Sequence, residues 1–330
     1  MNPALRLLSA LALALGVACA PSEVENSSEV SVETTEPESQ GVLALSVLTM
    51  TNPFFKEIAD HFTEEAAKNG YETLVVSGEK DVAQQQNQVK DFIVRGVSAI
   101  VLCPCDSKSI GPAIQEANEA GIPVFTADIA CLAPGAEVVS HIATDNYDGG
   151  KKAGDAMIEA LGSAGGQVVI LDYKSAESCL LRVEGFKEVI AAHNTEESNP
   201  QIEIVAELPG EGSRELGFQV TEDALQAHPN LAGIFAINDL AALGARAALE
   251  KAGKADQVQI VGFDGQPEGI EAINEGLIYA DPIQFPDRIG EITVQTIVGY
   301  FNGEDVPPEI LIPTELYRRP APETSDEAAE

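Results

Sequence analysis

The segment GVLALSVLTMTNPFFKEIADHFTEEAAKNGYETLVVSG, residues 41–78, changes its hydrophobic period twice. It opens on an apolar, β-branched run over residues 42–48, which reads as a strand. Asn52 then offers a side-chain oxygen as an N-cap, and Pro53 brings a φ already suited to the first helical residue. Amphipathic spacing continues over residues 54–69 and stops at Asn69-Gly70, a helix end. A second short apolar run follows at residues 73–76. A strand, a long helical crossover and a second strand form a parallel pair, because antiparallel neighbours need only a short turn.

Working outward, the alternation recurs. Apolar runs lie at residues 99–103, 124–127, 138–142, 168–171, 202–206, 232–236, 258–261 and 278–280. Helical windows at 82–95, 110–120 and 147–161 fall between them, and Arg95-Gly96, Ala120-Gly121 and Ala252-Gly253 repeat the helix stop. Ten strands are too many for one comfortable sheet, and 330 residues allow two domains. The predicted fold class is α/β, with two doubly wound parallel-sheet lobes. In such sheets ligands sit beyond the carboxyl ends of the strands, so function is sought there.

Composition narrows the partners. The chain carries 53 acidic and 19 basic residues, a formal net charge of −34, which repels a phosphate backbone and excludes nucleic acid. It reads as a strongly solvated surface. The body holds no apolar run of ~18 residues that could span a bilayer. At the N-terminus, Arg6, the apolar stretch 7–17 and Gly16-Val17-Ala18-Cys19 resemble the signal and lipobox of bacterial lipoproteins. A rival cut after Ala20 meets Pro21. The expectation is a signal peptide over residues 1–18, lipidation of Cys19, an acidic tether over 19–40 and an unstructured tail over 321–330. The protein then lies outside the cytoplasm, in the periplasm or at the cell surface, held to the membrane only through its lipid.

The strand ends carry an unusual set of side chains. Asn52, Phe54 and Phe55 follow the first strand; one ring could be core and the other loop packing, or both could form a platform for a ligand's C–H face. Asp128 follows the fourth strand, where a carboxylate is either a cap or a hydrogen-bond acceptor. Asn238 and Asp264 end later strands, Arg182 sits in an otherwise apolar helix, and Gln284 stands between Ile283 and Phe285. No activated Ser, Cys–His pair, Gly-rich phosphate loop or metal-ligand spacing appears, so no catalytic residue, cofactor or metal is expected. Planar polar groups with aromatic faces suit a polyhydroxylated ligand, since each carboxylate or guanidinium can bridge neighbouring hydroxyls.

Over residues 41–319 the chain resembles the ribose-type periplasmic sugar-binding proteins of bacterial ABC transporters. The resemblance rests on Asn52-Pro53-Phe54-Phe55, on residues 138–146 (VVSHIATDN) with Gly149-Gly150, on Phe235-Ala236-Ile237-Asn238-Asp239, and on Val261-Gly262-Phe263-Asp264-Gly265. It implies that lobe one spans 41–144 with 285–313 and lobe two 145–284 with 314–320. Three crossings near Thr144-Asp145, Gln284-Phe285 and Pro313-Thr314 would form the hinge of a closing cleft. It further implies ligand contacts from Asn52, Phe54, Phe55, Asp128, Arg182, Asn238, Asp264 and Gln284. Three positions depart from the family pattern: Leu48 replaces a polar residue, Ile129 an Arg and Gly212 an aromatic. These substitutions alter charge and shape, point away from ribose itself toward another pentose, a hexose, a ketose or a polyol, and leave spare room near Gly212. The implied function is a monomeric extracytoplasmic binding protein that closes on a monosaccharide or polyol and delivers it to an ABC permease. The alternative is a receptor for a non-sugar molecule or a sensory partner of a signalling protein.

After export, Cys103, Cys105, Cys131 and Cys179 meet an oxidising space. Neighbouring strands place Cys131 near Cys103 and Cys105, so a disulfide from Cys131 to Cys103 or, by preference, to the loop residue Cys105 is one reading, and free buried thiols are the other. A sugar-responsive transcription regulator would need a basic helix-turn-helix head, and an acidic tether stands in its place. A hydrolase using Asp128 and Asp264 as paired carboxylates finds no further support in the residues.

Overall fold

A computed structural model describes residues 39–320; the expected signal peptide, Cys19, nearly all of the tether and the tail at 321–330 lie outside the described residues. From the start, β1 (Val42–Val47), α1 (Pro53–Lys68), β2 (Glu72–Ser77), α2 (Val82–Arg95), β3 (Ala99–Leu102), α3 (Gly111–Glu119), β4 (Val124–Ala127) and β5 (His141–Thr144) follow in order. Then come α4 (Asn146–Leu161), β6 (Gly166–Asp172), α5 (Glu177–His193), β7 (Ile202–Pro209), α6 (Arg214–Ala227), β8 (Leu231–Ala236), α7 (Asp239–Lys251), β9 (Gln259–Val261), α8 (Pro267–Glu275) and β10 (Ala280–Ile283). The chain closes through α9 (Pro286–Phe301), β11 (Glu309–Ile312) and β12 (Glu315–Arg318).

Two six-stranded sheets result, in the orders β11-β5-β4-β3-β1-β2 and β12-β10-β9-β8-β6-β7. All neighbours in the first are parallel, and in the second only β12 runs antiparallel, against β10. Each sheet with its helices is one lobe, doubly wound as the alternation of periods predicts. The chain passes between sheets after β5, after β10 and between β11 and β12.

Local chemistry sets the elements that face the cleft. Asn52 Oδ1 accepts from the Phe54 backbone N–H at 3.0 Å and starts α1, with Pro53 in its first turn. Asn238 Oδ1 does the same for α7, accepting from Ala241 N–H at 3.0 Å. Strands β3 (AIVL) and β4 (VFTA) are buried along their whole length, as strands covered on both faces must be. The expected strand at residues 278–280 is displaced: Ile278 is buried, but its N–H bonds the Ala272 carbonyl and closes the turn after α8, so pairing begins at Ala280. The edge strands β11 and β12 carry EILI and ELYR, where exposed polar residues dilute the apolar signal.

Helices α4 and α5 cross on glycines. A Cβ on Gly150 would collide with the Arg182 carbonyl, and one on Gly185 with the Tyr147 carbonyl. That contact fixes the depth at which α5 delivers Arg182. Gly150→Ala is therefore expected to overpack the crossing at a cost of roughly 1–3 kcal/mol. In thermal unfolding this reads as a fall of roughly 3–10 °C; an unchanged Tm would show that the helices can separate freely.

Candidate functional site

The carboxyl ends of the two sheets face each other across a cleft of about 290 Å³. All eleven candidate residues line it: Leu48, Asn52, Phe54, Phe55, Asp128 and Ile129 from lobe one, and Arg182, Gly212, Asn238, Asp264 and Gln284 from lobe two. The parallel strands bring this about, because those of one lobe all end at the same edge.

On the lobe-one side, Phe54 and Phe55 are both buried and meet edge to face, with centroids 5.3 Å apart and planes at 89°. Both rings line the cleft, so neither is loop packing. Asp128 holds a positive φ of 64° and is 3% exposed, a sparsely populated conformation for a non-glycine residue. Its Oδ1 is buried with no protein donor in reach. Burial pushes the Asp128 carboxyl up to about 7; the Arg182 charge opposes this and Asp264 adds to it.

On the lobe-two side, one network joins three elements. Arg182 Nε donates to Asn146 Oδ1 at 2.8 Å, and Nη1 donates to the Ile237 carbonyl at 2.7 Å and to Asp264 Oδ1 at 3.0 Å. The guanidinium carbon lies 3.9 Å from the centroid of the Phe263 ring. Gln284 Nε2 donates to the same Asp264 Oδ1 at 2.6 Å, while Gln284 Oε1 has no donor. Asp264, with φ 105°, has its carboxyl raised by burial, against the pull of Arg182 and the Gln284 hydrogen bond.

The lobes are closed on one another. Lys80 Nζ donates to the Glu211 carbonyl at 2.8 Å and lies over the Tyr173 ring. Ser107 N–H donates to the Ser175 carbonyl at 2.9 Å, and Ser107 Oγ accepts from Glu177 N–H at 2.9 Å. Lys80, Tyr173, Cys179 and Glu211 also line the cleft, and residue type alone did not reveal them. Three of the four lie just past the ends of β2, β6 and β7, so position was the signal available for them. Asn146, which orients Arg182, lies just past the end of β5 and closes the 138–146 run of the resemblance, but its role was not read from either.

Two expectations are corrected. The four described cysteines are free: Cys105 is buried with its Sγ turned to the Leu48 carbonyl at 3.8 Å, and Cys131 stands half-exposed on its loop, so the Cys105–Cys131 disulfide is not formed. Burial pushes the Cys105 and Cys179 thiols to about 12, which leaves them inert. Nor does Gly212 open spare room. Its φ is 57°, its carbonyl accepts from Asn238 Nδ2 at 3.3 Å, and a Cβ there would lie 3.1 Å from that nitrogen.

The chain belongs to the periplasmic binding protein family: residues 43–305 match the family's periplasmic binding protein domain. Its two doubly wound lobes have the type I form of that fold. It is 38% identical over 268 residues to the ribose import binding protein of Escherichia coli K12, covering 81% of this chain and 87% of that one. It is 35% identical over 225 residues to the D-apiose import binding protein of Actinobacillus succinogenes, covering 68% and 70%. An ABC transporter solute-binding protein from Bacillus halodurans, solved with bound myo-inositol, superposes with a TM-score of 0.76 at 28% identity, covering 85% of this chain and 95% of that one.

The raised Asp128 carboxyl has a defined effect on stability. Its folded value, about 7, lies above its ordinary value of 3.8, so the folded state keeps a proton that the unfolded chain has released. The contribution is full below about pH 4 and is lost as pH rises toward and through about 7. Asp128→Asn, which tolerates the same φ, is expected to raise the Tm of the ligand-free protein at alkaline pH and flatten that decline. A parallel Tm–pH curve for the variant would contradict this.

Proposed function

We propose that the protein captures a monosaccharide or polyol outside the cytoplasm by closure of its lobes and delivers it to the permease of an ABC transporter, without catalysis. One observation carries the reading. Asp128 Oδ1 and Gln284 Oε1 are buried acceptors without protein donors, and both residues line the closed cleft. Groups of this kind are costly unless a ligand supplies hydrogen-bond donors, and sugar hydroxyls do so. The two Phe rings cover the apolar face of such a ligand, and the three strand crossings serve as the hinge. At about 290 Å³ the cleft stands at the lower edge of small-molecule pockets, sized for one ring.

The relatives that import ribose and D-apiose support transport over sensing. Ile129 beside Asp128, with Leu48 nearby, makes that corner of the cleft apolar, which favours a ligand other than ribose. The further elements of the proposal are a signal peptide, an anchor on Cys19 through the acidic tether, action as a monomer, and no cofactor; they rest on the sequence.

The test is thermal unfolding against a panel of pentoses, hexoses, ketoses and polyols. A true ligand at ~1,000 times its Kd adds roughly 4 kcal/mol to the native state, a Tm rise of order 10 °C. Asp264→Asn, which removes a charged acceptor, is expected to weaken that ligand roughly 10- to 100-fold. No shift from any sugar or polyol would transfer the proposal to a non-sugar ligand.

A further inference from the structure

Behind the lobe-two wall of the cleft, outside its lining, the carboxyl groups of Asp239 and Asp281 lie within hydrogen-bonding reach of each other. Asp239 opens α7 directly after Asn238, and Asp281 lies in β10 shortly before Gln284. Asp239 is 2% exposed and Asp281 0%. Asp239 Oδ2 accepts from the Gln266 backbone N–H at 2.6 Å. Asp239 Oδ1 and both Asp281 oxygens are buried with no donor reaching them. Two ionised carboxylates so placed would repel each other, with the single Gln266 N–H too little to compensate. A proton kept between them removes the conflict, with Asp239 donating to Asp281.

Backbone clamps the pair. A Cβ on Gly269 would collide with the Asp239 carboxyl, and one on Gly262 with Asp281 Oδ1. Three cleft residues are tied to this clamp. Asn238 caps the helix that Asp239 begins. Gln266, held by Asp239, continues the loop from Asp264. Asp264 N–H donates to the Pro282 carbonyl at 3.1 Å, and Gln284 N–H donates to the Asp264 carbonyl at 2.8 Å, which joins that loop to the strand carrying Asp281.

We infer that Asp239 and Asp281 form a proton-sharing carboxyl pair that positions Asn238, Asp264 and Gln284 for the ligand. The positioning rests on the reading of the cleft as a ligand site; the shared proton does not. The charged groups around the pair are already engaged. Asp264 is bound to Arg182, and Glu268 of α8 is paired with Arg214. From α4, Lys152 is bound to Asp148 and Glu159 to Arg318. Tyr317 of β12, in register with Asp281, donates its hydroxyl to Asn274. Burial raises both carboxyls of the pair, and the Asp281 charge raises Asp239 further. The folded state therefore holds a proton that the unfolded chain gives up, and stability falls as pH rises above the ordinary Asp value.

The first experiment is thermal unfolding of the ligand-free protein from about pH 5 to about pH 9. Asp239→Asn keeps an oxygen for Gln266 and supplies a permanent N–H to Asp281. It is expected to flatten the alkaline decline and to unfold at a higher temperature than wild type at the alkaline end. The Asp128 contribution is common to both proteins and cancels. A profile parallel to wild type overturns the shared proton. If Asp239→Asn does not fold, Asp281→Asn supplies the same hydrogen from the other side and must flatten the curve; failure of both isosteric amides to fold also overturns it.

The second experiment titrates D-ribose, D-allose and myo-inositol calorimetrically. Asp239→Ala is expected to weaken the tightest of them at least ~10-fold, with Asp239→Asn restoring wild-type affinity within about threefold, since a lost charged or buried hydrogen bond is of that order. Wild-type affinity in Asp239→Ala overturns the positioning. If wild type binds none of the three, the sugar reading fails for these probes while the pH profile still decides the proton. Positioning is then read from the Gln266 amide, whose hydrogen exchange must quicken in Asp239→Ala and not in Asp239→Asn; equal exchange overturns it.

Discussion

The guanidinium of Arg182 and the carboxylate of Asp264 are buried together in the wall of the cleft, and much of lobe two is arranged around that pair. Taking two such charges out of water costs several kcal/mol per ion, which only close geometry and additional hydrogen bonds offset. The structure supplies them from separate elements: Asn146 at the start of α4, the Ile237 carbonyl after β8, and Gln284 after β10. The glycine contact of α4 with α5 sets how deep Arg182 reaches, and the Phe263 ring covers its flat face. Removing either partner would leave an uncompensated buried charge at roughly 3–5 kcal/mol. The site and the stability of the lobe are thus one arrangement.

Acidity has two meanings in this chain. Over the surface, most of the described Asp and Glu residues are solvated and keep the protein apart from other anions. Inside, Asp128, Asp239, Asp264 and Asp281 are all buried, and burial raises every one of their carboxyls. Only Asp264 has a cation bonded to it. Asp128 faces the cleft, where a ligand's hydroxyls can serve it, whereas Asp239 and Asp281 have each other and one backbone N–H from Gln266. Strain accompanies the two aspartates that line the cleft: Asp128 and Asp264 both hold positive φ, a conformation that persists only where surrounding structure enforces it.

Closure depends on few contacts. The bonds from Lys80 and Ser107 to Glu211, Ser175 and Glu177, together with the Tyr173 hydroxyl that donates to the Cys105 carbonyl at 3.5 Å, join two lobes that three short crossings also connect. A small number of polar latches over a hinge is what a reversible clamp requires, since a large apolar seam between the lobes would hold it shut.

The alternation of hydrophobic periods determined the fold class, and the rule that parallel strands end at one edge directed the search to the strand-end candidates, while Leu48, Ile129 and Gly212 came from the family resemblance. Both are local or repeating properties, written in runs such as residues 41–78. What the sequence could not determine depends on contacts between distant segments. The free state of Cys105 follows from its Sγ turning inward to Leu48, and the crowding at Gly212 follows from the approach of Asn238, 26 residues away in sequence. The edge strands β11 and β12 pair with β5 and β10, and their own mixed patterns do not announce it. Asp239 reads as an ordinary acidic first turn and Asp281 as a polar residue in a weak strand. Only the packing of α7, α8 and β10 brings the two carboxyls face to face, because burial and proximity belong to the folded chain and not to either residue.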